Sequence, residues 1–394
     1  MNVNRIALGF AVLIGMLAAA SILWHTLFPF GIEPVADRSF GETAAQKDES
    51  LSDLLSNDEA HFERALKPRP FVFPKDHGAH DAFRSEWWYF TGNLDGADGR
   101  PFGYELTFFR FALSDKVRTS PSAWRTRQLY MAHLTLTDVQ AKRFHTDERF
   151  SRAANGLAGA EPDPYHVWLY DWSAQAEGPA EFPLRLRAES DRFAVDLLLD
   201  SQKGPVLQGE DGLSRKSGEP GNASYYYSYT RLTTRGSLRI TDKDYPVTGN
   251  SWMDREWSTS ALSKEQSGWD WFALQFSDNS ELMFYRLRRK DGRPDEFSAG
   301  SLVRADGSKV MLKKRDVIIE ETGQWQSPGT KIRYPSGWRL RIPGRQLAVE
   351  IVPLIDDQEL NVSVRYWEGA VRIAGTKEGL PVSGRGYVEL AGYR

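Results

Sequence analysis

The sequence predicts an all-β protein, two tandem antiparallel β-barrels following an N-terminal transmembrane anchor helix. Three observations predict it. From Phe71 onward apolar residues recur with period two, the pattern of strands with one buried face. Asp-Gly pairs at 95–96, 98–99, 291–292 and 306–307 interrupt these runs, and Asp-Gly between alternating segments is a strong hairpin signal. Finally, one segment occurs twice. Residues 229–257 and 362–393 each carry a strand through Gly236 or Gly369, a polar turn, Pro-Val-(Thr/Ser)-Gly, and a second strand with an aromatic residue. Gly369 lies 133 positions after Gly236, and Gly384 lies 135 after Gly249. Self-similarity at a long period indicates duplicated units.

The first element is Ile6–Phe28, free of Asp, Glu, Lys and Arg and preceded by Arg5. About 20 apolar residues can span a bilayer as a helix. The positive-inside rule keeps Arg5 cytoplasmic and exports the rest. Ala18-Ala19-Ala20 offers a signal-peptidase site, but Ile22, Leu23, Trp24, Leu27 and Phe28 continue the apolar run. We therefore expect residues 1–28 to form an uncleaved anchor, with secretion after cleavage as the alternative. Residues 29–69 are polar and interrupted by Gly and Pro, and read as a tether with one short helix near 45–58.

The first barrel is expected over 70–258 and the second over 259–394. Strands are expected at 128–137, 184–188, 193–199 and 238–240, then at 269–276, 281–288 and 347–351, because each alternates apolar and polar residues. Many short strands at close spacing fit a sandwich or a barrel. Barrels are preferred because closure removes exposed edges, and about eight strands can enclose one small ligand. Residues 151–182 and 200–224 are rich in Gly and Pro and read as long loops over a barrel mouth.

Composition narrows the chemistry. The 394 residues include no cysteine, which removes thiol catalysis, iron–sulfur clusters and disulfides. The net charge is −3 with basic residues scattered, so no nucleic-acid partner is expected. HExxH, GxSxG, a Walker loop and a strand–GxGxxG–helix unit are all absent.

Three acid–aromatic clusters carry what chemistry there is. They are Ser85-Glu86-Trp87-Trp88-Tyr89-Phe90, Asn250-Ser251-Trp252-Met253-Asp254-Arg255-Glu256-Trp257, and Gly268-Trp269-Asp270-Trp271-Phe272. On a strand alternate residues share a face, so Trp252, Asp254 and Glu256 point one way while Met253, Arg255 and Trp257 point the other. Glu86, Trp88 and Phe90 likewise oppose Trp87 and Tyr89. A carboxyl facing inward among indoles has its pKa raised by desolvation and can serve as a general acid near neutrality. Aromatic faces can stabilise a developing cation. The competing reading is structural: Trp fills barrel cores, and Asp254-Arg255 and Asp270 make ion pairs that cap strands. His133 lies among alternating apolar residues and reads either as a core histidine or as a water-positioning base. His77 and His80, in the loop before the first strand, read as solvated, and no metal or cofactor is expected. The candidate catalytic residues are Asp254, His133 and Glu86; the candidate ligand contacts are Trp88, Tyr104, Trp252, Trp257, Trp269 and Trp271.

Ser85–Gly92, Gly103–Arg110, His133-Leu134, Gly249–Glu256 and Trp269-Asp270-Trp271 together resemble the AttH-like, lipocalin-like proteins related to carotenoid 1,2-hydratase (hydroxyneurosporene synthase). The resemblance covers residues 65–394. It implies paired lipocalin-like barrels and, in the hydratase branch, cofactor-free addition of water to a terminal carbon–carbon double bond. The acid of that branch lies in the motif matched here by Trp252-Met253-Asp254. This implies Asp254 as proton donor, with Trp252 lining its path. Some relatives are associated with membrane transport systems. The expected function is thus binding of an apolar, isoprenoid or lipid-like molecule on the extracytoplasmic side, with Asp254 protonating a double bond. The alternatives are a non-catalytic carrier beside a membrane export transporter, or a ligand-free structural partner. Both leading readings place the ligand in a cavity inside the first barrel, lined by Trp88, His133 and Trp252.

Overall fold

The computed structural model describes residues 61–115, 122, 124–260 and 262–394. The expected anchor over 1–28 and the helix near 45–58 lie outside the described residues. Among those described, regular structure consists of strands and three 3₁₀ turns, and no helix is long and apolar enough to cross a membrane.

Two large, curled antiparallel sheets form one compact unit. The first runs from Arg143–Arg152 through Gln128–Asp138, Pro101–Ala112, Ser85–Gly96, Lys243–Ser258, Ala223–Ile240, Phe193–Ser201, Leu184–Glu189, Trp172–Ala176 and Tyr165–Leu169 to Ala158–Pro162. The second runs from Lys309–Lys313 through Ala299–Val303, Glu281–Arg289, Gln266–Phe276, Leu380–Ala391, Arg365–Lys377, Leu347–Pro353 and Trp338–Ile342 to Ile318–Glu321. The two paths repeat one topology, in which the first strand of each sheet pairs with its last. Each sheet is barrel-like but open, because its two end strands do not pair among the described residues. The segment 151–182, expected as loop, contains three strands (Ala158–Pro162, Tyr165–Leu169, Trp172–Ala176). Their inward Val167, Leu169, Trp172 and Ala174 are fully buried, so burial of a short apolar face overrides the Gly and Pro signals.

The duplicated hairpins are Ala223–Ile240 with Lys243–Ser258, and Arg365–Lys377 with Leu380–Ala391. Register shows that the counterpart of Gly236 is Gly375, not Gly369. Gly236 faces Val247 and Gly375 faces Val382, because the second hairpin reaches its turn two residues sooner on each strand. The Gly249–Gly384 match stands. A Cβ on Gly249 would lie 2.1 Å from Asn93 O, and one on Gly384 2.2 Å from Gln275 O. Both glycines therefore let the last strand lie close against the first. Gly249→Ala should destabilise the protein by about 1–3 kcal/mol through overpacking, read as a lower thermal unfolding midpoint; an unchanged midpoint would refute this close-approach argument.

The concave side of the first sheet is filled. Trp88, Phe90, Tyr104, Leu106, Phe108, Met253 and Trp257 are among its buried core. Among the described residues these side chains occupy the space where the cavity inside the first barrel was expected. Trp88 points into this core, whereas His133 and Trp252 sit on the opposite face, toward the second sheet. Bulky aromatics at alternate positions fill this side and leave the other face to meet a partner.

That partner is the second sheet. Glu281, fully buried, accepts from Lys203 Nζ and Arg231 Nε, each at 2.7 Å. Asn93 Nδ2 donates to Gly386 O at 2.9 Å, and Gln275 Nε2 donates to Thr230 O and Ser251 O at 2.9 Å. These bonds hold the two outer faces together around what lies between them.

Candidate active site

A cavity of about 80 Å³ opens between the sheets. The first sheet contributes Trp87, Tyr89, Tyr226, Asp254 and Glu256. The second contributes Trp269, Trp271, Tyr285 and Glu389. Period-two alternation places them: Tyr89 is registered with Asp254 and Trp87 with Glu256, so these four share the face turned away from the Trp88 core. In the second sheet Trp271 is registered with Glu389. Asp254 stands five residues after Gly249, and Glu389 five after Gly384. The two acids thus hold corresponding positions in the two repeats and face one cavity.

Asp254 is 3% exposed. Its Oδ1 accepts from Ser228 Oγ at 2.5 Å and from Trp252 Nε1 at 2.7 Å; its Oδ2 accepts from Tyr226 OH at 2.5 Å. Trp271 Nε1 in turn donates to Tyr226 OH at 3.2 Å. Burial pushes the Asp254 pKa up to about 7, against the pull of the three donors and with help from the neighbouring Glu256 charge. Glu256 is paired with Lys216, whose Nζ lies 3.1 Å from Glu256 Oε1 and 4.0 Å from the centre of the Tyr285 ring. Burial opposes the Lys216 charge, but Glu256 and then Tyr285 outweigh it and raise its pKa. Glu389 accepts from Trp269 Nε1 at 2.5 Å, and burial raises it to about 7 as well. Trp271 meets Tyr89 edge-on at 5.2 Å and Trp252 at 6.3 Å. The site therefore offers protonatable carboxyls, indole and phenol surfaces, and one compensated ion pair.

The structure separates the residues singled out from the sequence into three places. Asp254, Trp269 and Trp271 line the cavity, and Trp252 holds Asp254 from behind. Trp88, Tyr104 and Trp257 belong to the first sheet's core. Glu86 lies on that core side, fully buried, gripped by Arg110 and Arg255 and 3.2 Å from His80 Nδ1. Burial alone would raise Glu86; the two guanidiniums hold it well below the usual carboxylate range. His77 is buried with Nδ1 2.7 Å from Tyr227 OH, so it is not solvated as expected, and His80, half-buried, stacks on Trp257 at 3.8 Å. His133 faces the second sheet but not the cavity. It contacts Tyr366 OH at 2.7 Å and Glu148 at 3.3 Å, and burial lowers its pKa.

Sequence reasoning missed Tyr226, Lys216 and Glu389. The self-match held the signal for Glu389, since five steps past each repeat's glycine stands an acid. Tyr226 is legible only once the hairpin register, which pairs it with Glu256, is known. Lys216 comes from an irregular segment, and no pattern marks it.

The sequence profile of the AttH-like family matches residues 64–393. A crystal structure of a Nitrosomonas europaea chain assigned as AttH is 35% identical, covering 84% of this chain and 99% of that one, with a TM-score of 0.75. Kievitone hydratase from Nectria haematococca is 16% identical over 85% of this chain and 97% of that one, with a TM-score of 0.63. CghA in complex with Sch210972 is 15% identical over 86% and 97%, at 0.50. The latter two likenesses concern the fold alone. Among curated proteins no sequence matches the chain.

Proposed function

The chain belongs to the AttH-like family, and from that premise we propose that it is a cofactor-independent, hydratase-type enzyme acting on an apolar, isoprenoid or lipid-like molecule held between its two sheets. The observation that carries this is a buried carboxyl, Asp254, raised to about 7 in an aromatic-walled cavity. At neutral pH a substantial share of such a carboxyl keeps its proton and can deliver it. Protonating a carbon–carbon double bond leaves a carbocation, which the faces of Trp271, Tyr89 and Trp87 can stabilise. Water then captures the cation and yields an alcohol. A hydratase among the structural neighbours is in keeping with such chemistry on this fold. The first ~30 residues, read as an anchor, would hold the cavity on the extracytoplasmic side.

The apolar lining from Phe109, Leu262 and Leu287 also favours a second reading, a carrier that delivers its ligand to an export transporter. One experiment weighs both. The full chain is incubated with a panel of acyclic isoprenoids and unsaturated lipids in heavy-oxygen water and followed by native mass spectrometry. A product one labelled water heavier supports the hydratase. An unmodified ligand retained at one per chain supports the carrier. Neither result would remove both readings.

A further inference from the structure

We infer that Glu389 is a second catalytic carboxyl, the base that activates water while Asp254 protonates the substrate. This rests on reading the cavity as a hydratase site. Three observations carry it. Glu389 is the counterpart of Asp254 in the second repeat, yet it faces the same cavity from the opposite wall. Each acid accepts from an indole N–H, Trp252 for Asp254 and Trp269 for Glu389. Each also has a supporting group directly across its hairpin: Ser228 is registered with Asp254, and Glu368 with Glu389.

Glu368 decides which acid is the base. It is fully buried and accepts from Tyr89 OH at 2.5 Å through Oε1, while no N–H or hydroxyl reaches its Oε2. Burial, then the charges of Glu389 and Glu105, raise its pKa well above the carboxyl range, and it hydrogen-bonds with Glu389. Glu368, registered directly across from Glu389, is therefore held in its protonated form beside it. Two carboxyls facing one low-dielectric space resist simultaneous ionisation. Glu389, charged and supported by Glu368 and Trp269, favours a proton on Asp254. Of the other groups nearby, Lys216 lies against Glu256, and burial keeps Tyr226 a phenol. In inverting glycosidases a pair of carboxyls acts in this way, one as acid and one as base toward a water.

The step balances. Asp254 gives its proton to one alkene carbon, and the other becomes cationic. The oxygen of a water bonds to that carbon as its proton passes to Glu389. The alcohol leaves, and the proton returns from Glu389 to Asp254 through water.

The test has two arms. In the first, the protonated-carboxyl infrared band of the ligand-free full chain is titrated for wild type, Asp254→Asn and Glu389→Gln. Pairing predicts that each substitution lowers the remaining acid's apparent pKa by about 1 unit or more; independent titrations would overturn it. The second arm uses whichever alkene the panel above converts. Glu389→Gln should lower kcat by at least ~10²-fold and abolish the acidic limb of the pH–rate profile, leaving the alkaline limb. Retained kcat with both limbs would overturn the assignment. If no alkene is converted, the hydratase reading falls, while the first arm still decides whether the acids form a pair.

Discussion

Asp254→Asn is expected to reduce turnover by ~10²- to 10⁴-fold, the usual worth of a positioned general acid, with the fold intact. The amide fits the existing network. Its Oδ1 can still accept from Ser228 and Trp252, and its Nδ2 can donate to Tyr226 OH, which already accepts from Trp271. The transferable proton is lost, and the bond with Tyr226 reverses direction. In the wild type the rate should fall as pH rises through about 7, where the carboxyl ionises. Stability runs in a related direction. A folded pKa above the ordinary 3.8 means that the folded state binds the proton more tightly than the unfolded one. Stability therefore declines from about pH 4 to about 7 on account of this group. Asp254→Asn should flatten that decline while abolishing turnover. Steady-state kinetics and urea unfolding across this pH range check both. Full activity in the folded variant would end the role given to Asp254.

Glu86→Gln should produce the opposite pattern, a large loss of stability. Glu86, Arg110 and Arg255 are all fully buried, and Arg110 also donates to Gln128, His80 O and Phe83 O. Removing the carboxylate leaves two buried guanidiniums without their counter-charge. Breaking a buried ion pair this way costs about 3–5 kcal/mol. The pH sign follows from the depressed pKa. The contribution is complete above the ordinary value of 4.5 and is lost as pH falls through the lower, folded-state value. Denaturant unfolding at pH 7 should show the loss, and the variant should lack the part of the wild type's acid sensitivity due to this group. A variant of unchanged stability that has lost turnover would return Glu86 to the chemistry.

These two acids show how far strand periodicity reaches. Alternation put Glu86 with Trp88 on one face of their strand and Asp254 with Glu256 on one face of theirs; only the register shows these to be opposite sides of the sheet. It did not say which face was enclosed. The acid expected inside the first barrel lies outside it, and the aromatics expected to line a pocket, Trp88, Tyr104 and Trp257, fill the core instead. The repeat was visible, but self-similarity along the chain does not say which faces of the two copies meet. Register shows that each contributes an acid to the same cavity.

The all-β class, the duplicated hairpin, the faces of the strands and the family are properties of local order along the chain, and the sequence by itself determined them. Residue type and spacing set period, turns and motif, and none of these needs knowledge of distant contacts. Where the ligand space lies was decided by tertiary structure alone. Whether a strand's face looks into its own sheet's curl or onto another sheet depends on which side the bulky residues of many distant strands fill. Once Trp88, Phe108, Met253 and Trp257 occupied the concave side, Asp254 was left to face the second sheet. There it met Trp271, the next strand's residue 17 positions on, and Glu389, more than a hundred residues further along the chain.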